Sequence, residues 1–192
     1  CKSIRKNIVT ILSGPSGIGK TRLALEVCRK QDGEAVKVYC IKSNGNLLYE
    51  DIKYYIDEPG KYLLFFDDAN MVASLDNVLN TILTLPEAYN VKVLITVRDY
   101  ARERVINSVL KYSKPNIIEI GRFKDDEIKD IVKNNLGILN SVYLEKIVEI
   151  ANGNIRLAFL AGMRAIDDGY QAIRNAEDIF KNYYGRIIDD AK

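Results

Sequence analysis

The most constraining pattern in the chain is a short apolar run followed at once by a glycine-rich loop. Residues 8–21 read IVTILSGPSGIGKT, which fits a β-strand and then GxxxxGK[ST]. Glycines suit such a loop because its backbone must approach a ligand closely. The backbone N–H groups of the loop and the N-terminus of a following helix favour a bound anion, phosphate above all. This pattern therefore predicts a strand, a phosphate-binding loop and a helix.

The context of the loop favours phosphate binding over a glycine- and serine-rich turn that fits by chance. The residues after it, RLALEVCRK, are helix-forming, and the motif requires a strand before it and a helix after it. In that arrangement Lys20 reaches the β- and γ-phosphates of a nucleotide, and the hydroxyl of Thr21 can ligate Mg²⁺. We therefore expect this segment to hold a nucleotide.

Strand-like runs alternate with helical patterns up to residue 121. The runs are almost continuously apolar and rich in β-branched and aromatic residues: NIVTILS, VKVYCI, KYLLFFDD, VKVLITV and NIIEI. Strands of this kind, joined by helical crossovers, are typical of a parallel sheet covered on both faces. We predict an α/β fold of the P-loop NTPase type, a three-layer sandwich around a five-stranded parallel sheet.

After Gly121 the pattern changes to helical periodicity alone. FKDDEIKDIVKNNLG, NSVYLEKIVEIANG and NIRLAFLAGMRAIDDG each place apolar residues three and four positions apart, and no strand follows. Residues 1–121 are therefore predicted as the α/β core and residues 122–192 as a helical lid subdomain. The chain begins at Cys1 and ends within a helical pattern, so we expect a fragment of a longer multidomain protein.

Composition argues against several functional classes. The formal net charge is only +2, from 28 Lys+Arg against 26 Asp+Glu, so no overall field attracts nucleic acid or a membrane. No histidine occurs, which excludes a histidine base, nucleophile or metal ligand within this chain. No apolar run has the length of a membrane span, and no signal peptide is recognisable. We expect a cytoplasmic protein without a membrane partner.

Two adjacent aspartates follow the strand KYLLFFDD. Ligands of parallel sheets bind beyond the carboxyl ends of the strands, where Asp67 and Asp68 fall. Asp67 is placed to hold Mg²⁺ opposite Thr21, and Asp68 could orient and deprotonate the attacking water. The alternative is a solvated turn that caps the helical segment from Met71. The phosphate-binding loop upstream favours the catalytic interpretation.

Two arginines are candidates for reading the phosphates. Arg98 ends the strand VKVLITVRD and emerges beside the aspartates if that strand neighbours the first one. Its guanidinium could then bond a γ-phosphate oxygen; the alternative is a surface arginine paired with Asp99 or Glu103. Arg156 follows Gly153 by one turn and could reach the same phosphates from the lid. The alternative for it is a solvent-facing arginine.

The predicted site residues form three overlapping groups. Catalysis is assigned to Asp68, Lys20 and Arg98. Metal coordination is assigned to Thr21 and Asp67. Nucleotide binding is assigned to Gly14, Pro15, Ser16, Gly17, Ile18, Gly19, Lys20, Thr21, Arg22, Arg98 and Arg156.

Taken in order, GPSGIGKT, YLLFFDD, VLITVRD and GNIRLAFLAG resemble the nucleotide-binding domain of the STAND branch of P-loop ATPases, which are relatives of the AAA+ proteins. STAND lids often carry a GxP signature, whereas this chain has Gly153, Asn154, Ile155 and Arg156. That segment is similar to the second sensor of AAA+ clamp loaders and origin-recognition ATPases. The assignment to the STAND branch therefore depends on the Arg98 motif and on the GNIR segment.

The resemblance implies ATP or ADP as the nucleotide, with Mg²⁺, and slow hydrolysis. It implies a switch in which nucleotide state and lid position control oligomerisation and effector activation. It further implies fused effector and sensor domains outside this chain, a homo-oligomer when activated, and a phage protein as the sensed ligand. Such a protein would act in antiphage defence, as bacterial NLR-like immune receptors do.

Two other functions fit the same loop. An AAA+ DNA-remodelling or loader-type ATPase would bind DNA, and the near-neutral charge argues against DNA as a partner. A small-molecule kinase would need a mobile basic lid, and residues 122–168 are not unusually basic. In both alternatives, the rate of ATP turnover would depend on an added substrate.

Overall fold

The computed structural model describes residues 6–31, 35–41, 48–169, 173 and 178–179. The chain divides into two compact units. The first contains the residues up to Pro15 and those from Lys20 to Ile120, and the second contains Ser16–Gly19 and the residues from Gly121 onward. Each unit has a hydrophobic core of its own.

The first unit alternates strands and helices. Its strands are β1 (Val9–Gly14), β2 (Lys37–Ile41), β3 (Gly60–Phe66), β4 (Tyr89–Arg98) and β5 (Asn116–Glu119). Its helices are α1 (Lys20–Gln31), α2 (Leu48–Tyr55), α3 (Leu75–Leu83) and α4 (Arg102–Leu110). One turn of 3₁₀-helix, Ala69–Met71, follows β3, and another, Asp99–Ala101, follows β4.

The five strands form one parallel sheet in the order β2-β3-β4-β1-β5. β4 therefore lies between β1 and β3, with Arg98 opposite Gly14 on one side and Ile95 opposite Phe66 on the other. The carboxyl ends of these three strands meet at one edge of the sheet. The predicted five-stranded parallel sheet with flanking helices is confirmed.

Side chains alternate between the two faces of each strand. Most residues of the inner strands β1, β3 and β4 are buried, whereas the edge strands β2 and β5 are half-buried or exposed. Leu64 and Phe66 belong to a cluster completed by α2, α3 and α4, whereas Leu63 and Phe65 pack against α1 on the other face. On β4, Leu94 belongs to the α1 face. By the same alternation, positions 96 and 98 belong to the α1 face as well.

The second unit contains the helices α5 (Asp125–Leu136), α6 (Ser141–Ala151) and α7 (Ile155–Asp168). Ile128, Ile147 and Ala158 are completely buried in its core. α7 packs tightly at Gly162, where an added Cβ would lie 2.5 Å from Leu136 Cδ1. The predicted helical segment from residue 174 lies outside the described residues apart from 178–179. Among the helices that the structure describes, none has the length and apolar composition that crossing a bilayer requires.

Candidate nucleotide-binding site

The lysine that begins α1 is hydrogen-bonded to the start of the loop between β1 and α1. β1 ends at Gly14 and α1 begins at Lys20, whose Nζ donates hydrogen bonds to Gly14 O at 2.8 Å and to Pro15 O at 2.6 Å. Gly19 has φ +88°, which an L side chain rarely adopts, and open space where a Cβ would be. The loop therefore presents backbone without side-chain obstruction at that position.

Lys20 is 7% exposed and lies in a mixed electrostatic environment. Burial lowers the pKa of Lys20 below the ordinary lysine value, and the carboxylate of Asp68 acts in the opposite direction. Arg98 adds to the lowering, and Asp99 opposes it. An ammonium held by two carbonyl oxygens in such a place can turn toward a phosphate at little desolvation cost, because most of that cost is already borne in the folded protein.

Thr21, Asp67 and Thr96 are joined by hydrogen bonds to one carboxylate oxygen. Thr21 Oγ1 donates to Asp67 Oδ1 at 2.7 Å, and Thr96 Oγ1 donates to the same oxygen at 2.8 Å. Thr21 lies on α1, Asp67 directly follows β3, and Thr96 lies on β4, on the face of the sheet that α1 covers. Hydroxyl and carboxylate oxygens are ligands that Mg²⁺ accepts, and Mg²⁺ commonly uses few protein oxygens together with phosphates and water. Thr21 and Asp67 therefore fit the predicted metal site.

Asp68 is held by its backbone and by its side chain. It has φ 47° and ψ 58°, the left-handed region, and its N–H donates to Thr96 Oγ1 at 2.9 Å. Arg98 donates to Asp68 Oδ2 from Nε at 3.2 Å and from Nη2 at 2.8 Å. Asp68 precedes the 3₁₀ turn Ala69–Met71 but makes no side-chain cap hydrogen bond there. The capping alternative from the sequence therefore has no hydrogen bond to support it.

Thr96 is the residue that the sequence interpretation did not single out. Its side chain is 0% exposed, and its hydroxyl serves both aspartates, as a donor to Asp67 and as an acceptor for the Asp68 N–H. The available signal was a polar residue among the apolar residues of VKVLITV. Because threonine is a common strand residue, that signal alone does not point to a site.

The second unit contains the remaining loop residues and the segment after α6. Asn154 Nδ2 donates to Ser16 O at 3.1 Å, and the Arg156 N–H donates to Gly17 O at 3.0 Å. Asn154 is also the N-cap of α7, since its Oδ1 accepts from the N–H groups of Arg156 and Leu157. A Cβ on Gly17 would lie 2.3 Å from Asn154 Oδ1. Loop residues 16–17 and the start of α7 are therefore in direct contact.

Not every predicted residue is drawn into these hydrogen bonds. Arg22, with an exposed side chain, pairs with Glu26 at 3.2 Å along α1. The side chain of Arg156 is exposed, and its backbone N–H is what bonds the loop. Ile18 is buried in the second unit. The nucleotide-binding roles of these three residues, like those of the other predicted site residues, stay predictions.

A parallel sheet whose first strand leads into a lysine-bearing glycine loop, with aspartates after a strand two positions away in the same sheet, defines a P-loop NTPase. The particular family follows from the sequence. The family model described as Novel STAND NTPase 3 matches residues 1–137, so the chain belongs to that family. The predicted relationship to STAND NTPases is confirmed.

Solved structures of similar fold support the class. RuvB of Thermotoga maritima, described as a Holliday junction branch migration motor, has TM-score 0.66 and 18% identity, covering 94% of this chain and 64% of that chain. An arginine-to-alanine variant of that RuvB has TM-score 0.66 and 19% identity, covering 93% and 62%. A proline-to-glycine variant has TM-score 0.65 and 19% identity, covering 91% and 61%.

At these identities the similarity shows the fold alone. The chain spans less than two thirds of the length of these RuvB structures. No curated protein sequence matches the chain. Assignments finer than the fold and the family therefore rest on the side chains described above.

Proposed function

We propose that this chain is the ATP-binding and ATP-hydrolysing domain of a cytoplasmic STAND switch protein. The observation that carries the proposal is the continuous set of hydrogen bonds from Thr21 through Asp67 and Thr96 to Asp68 and Arg98. It gathers oxygens suited to Mg²⁺, a carboxylate and a guanidinium beside the lysine loop. Phosphoryl transfer needs such positioned charges more than it needs covalent chemistry.

The proposed mechanism gives each residue one task. Lys20 and the loop N–H groups hold the phosphates. Thr21 and Asp67 would hold Mg²⁺, which when bound would supply positive charge beside the phosphate oxygens. Asp68 accepts a proton from the attacking water. Arg98 donates hydrogen bonds to the terminal phosphate of ATP and so distinguishes ATP from ADP.

Residues 1–121 act in this proposal as the nucleotide-binding core and residues 122–192 as the lid. The hydrogen bonds of Asn154 and Arg156 to Ser16 and Gly17 support it, because they connect the start of α7 to the loop that holds phosphates. A change in the loop on nucleotide binding would thereby reach α7. Arg156 is proposed to reach the phosphates from the lid.

The wider role follows the STAND family. We propose slow hydrolysis, fused effector and sensor domains outside this chain, and a homo-oligomer in the active state. A phage protein is the proposed ligand of the missing sensor, and antiphage defence is the proposed context. ATP and ADP would bind the inactive and active forms with different affinities, and the bound nucleotide would therefore set the balance between the two forms.

A DNA-remodelling ATPase is the second candidate, and the structural similarity to a Holliday junction branch migration motor is what favours it. Such a protein would hydrolyse ATP faster on DNA and bind DNA in a salt-dependent manner. The formal net charge of +2 provides little overall attraction to a polyanion. We therefore rank the switch first.

The test is the nucleotide content and turnover of the purified chain, with and without DNA. Bound ADP or ATP, with slow phosphate release that DNA does not change, supports the switch. Lys20→Ala should abolish binding, whereas Asp68→Asn should preserve binding and stop turnover. Brisk hydrolysis stimulated by DNA would favour the remodelling ATPase. A chain that binds no nucleotide would refute both candidates.

A further inference from the structure

Two charged side chains that the proposed function assigns to different tasks are bound to each other. Arg98 places its Nε and Nη2 donors on one oxygen of Asp68, at 3.2 Å and 2.8 Å. The carboxylate proposed to take the proton of water is thus engaged by the guanidinium proposed to bind the terminal phosphate. An arginine fork that approaches a carboxylate in this way uses the same edge that suits a phosphate.

From this contact we propose that the Arg98–Asp68 ion pair is a brake on hydrolysis that the γ-phosphate releases. The inference rests on the proposed function. When a γ-phosphate is present, the Nε/Nη2 edge of Arg98 turns to it, and the Asp68 carboxylate becomes available to water. ADP offers no γ-phosphate, so the pair stays closed. Hydrolysis therefore begins only after Arg98 has recognised a triphosphate.

The exchange needs only side-chain movement. The backbone of Asp68 is fixed by the bond from its N–H to the buried hydroxyl of Thr96, and Arg98 is fixed by the register of β4 with β1. The carboxylate and the guanidinium can part without a change in either backbone. Their side chains are 33% and 39% exposed, and ion pairs at such exposure are weak. A phosphate that carries more charge than a carboxylate can therefore displace Asp68.

The pair has a thermodynamic consequence that can be measured without turnover. If Asp68 competes with the γ-phosphate for Arg98, removing its charge favours ATP over ADP, and the gain depends on Arg98. Asp68→Asn should bind a non-hydrolysable ATP analogue about fivefold more tightly than the wild type, with ADP affinity changed by less than about twofold. Arg98→Gln should lose about tenfold in analogue affinity.

The experiment is a double-mutant cycle by titration calorimetry with Mg²⁺, using the analogue and ADP on each protein. The double variant, with both Asp68→Asn and Arg98→Gln, should match Arg98→Gln alone, because no guanidinium remains to be released. Asp99→Asn is the charge control, since Asp99 acts on Lys20 electrostatically while its Oδ1 accepts from the Tyr100 N–H. It should change analogue and ADP affinity alike. If Arg98→Gln does not fold, Arg98→Lys replaces it, because it retains the charge and loses the fork.

Three results would overturn the inference while leaving the proposed function intact. The first is an Asp68→Asn variant that tightens ADP as much as the analogue. The second is a gain in analogue affinity that survives in the double variant. The third is an Asp68→Asn variant with unchanged analogue affinity. A wild-type chain that binds neither ligand would instead refute the proposed function, and the brake with it.

Discussion

At the scale of single residues, Thr96 organises the site. Its hydroxyl donates its one hydrogen to Asp67, and one of its two lone pairs accepts the hydrogen bond from the N–H of Asp68. Because the side chain is completely buried, water cannot replace either bond. Asp68 is thereby held in a left-handed conformation that aspartate tolerates better than most residues. One hydroxyl thus fixes the carboxylate proposed to bind Mg²⁺ and the turn that carries the proposed base.

Thr96→Val keeps the shape of the side chain and removes both hydrogen bonds. We expect the free energy of unfolding to fall by about 1–3 kcal/mol, because the part-buried N–H of Asp68 loses its acceptor and the part-buried Asp67 carboxylate loses a donor. ATP hydrolysis should fall by about tenfold to a hundredfold, since misplacing a catalytic group has effects of that size. Chemical denaturation and phosphate-release assays check the two effects.

Thr81→Val is the matched control for this prediction. Thr81 lies on α3, and its hydroxyl donates to Asn77 O at 3.0 Å within the same helix. The same change of side chain there should leave hydrolysis at the wild-type rate. Equal hydrolysis by Thr96→Val and Thr81→Val would show that Thr96 does not position the aspartates.

At the scale of elements, two helices of the second unit begin with the same residue type in two different surroundings. Asn140 caps α6, and its Oδ1 accepts from the N–H groups of Val142 and Tyr143. Asn154 caps α7 in the same manner and additionally donates to Ser16 O. The first cap serves its helix alone. The second also holds part of the phosphate-binding loop.

Asn154→Ala and Asn140→Ala should therefore separate helix stability from nucleotide binding. Each removes an N-cap and should cost about 1 kcal/mol of stability. Only Asn154→Ala should also weaken ATP binding, by about twofold to tenfold, the range that the loss of one hydrogen bond gives. Thermal melts and calorimetric titrations measure the two quantities. If both variants bind ATP alike, the contact to Ser16 has no role in holding the loop for nucleotide.

The elements differ in how well the sequence predicted them. Strands such as KYLLFFDD were predictable because a parallel sheet buries both faces and so demands continuous apolar runs. That β4 lies beside β1 was only a condition in the sequence argument, since strand order depends on long-range pairing. The contact of Arg98 with Asp68 depends on that order. Asn154 looked like an ordinary cap, because nothing local reveals that Ser16 lies within reach of its amide.

At the scale of the whole molecule, the phosphate-binding loop is shared between the two units. Gly14 and Pro15 belong to the first unit, Ser16–Gly19 to the second, and Lys20 to the first again. Part of this loop is therefore folded with each unit. A ligand that binds only the folded protein stabilises every part of the chain that must be folded for binding.

Mg²⁺–ATP should therefore raise every thermal unfolding transition that the chain shows. At a ligand concentration about 100 times the Kd, the expected stabilisation is about 2.7 kcal/mol. Differential scanning calorimetry measures it, and Lys20→Ala, which loses the ammonium proposed to bind phosphate, should show no shift. A transition that does not respond to nucleotide would mean that one unit unfolds independently of the site.

The register of β4 has a consequence for how this chain can change over evolutionary time. Positions 94, 96 and 98 share one face of β4, and Ile95 and Val97 occupy the opposite face within the core. Deleting one residue inside β4 would exchange the two faces, burying polar groups and presenting aliphatic side chains to the site. An insertion in the turn before Tyr89 would leave this alternation untouched. Insertions and deletions among descendants should thus accumulate outside β4, because the length of β4 determines which side chains face the core and which face the site.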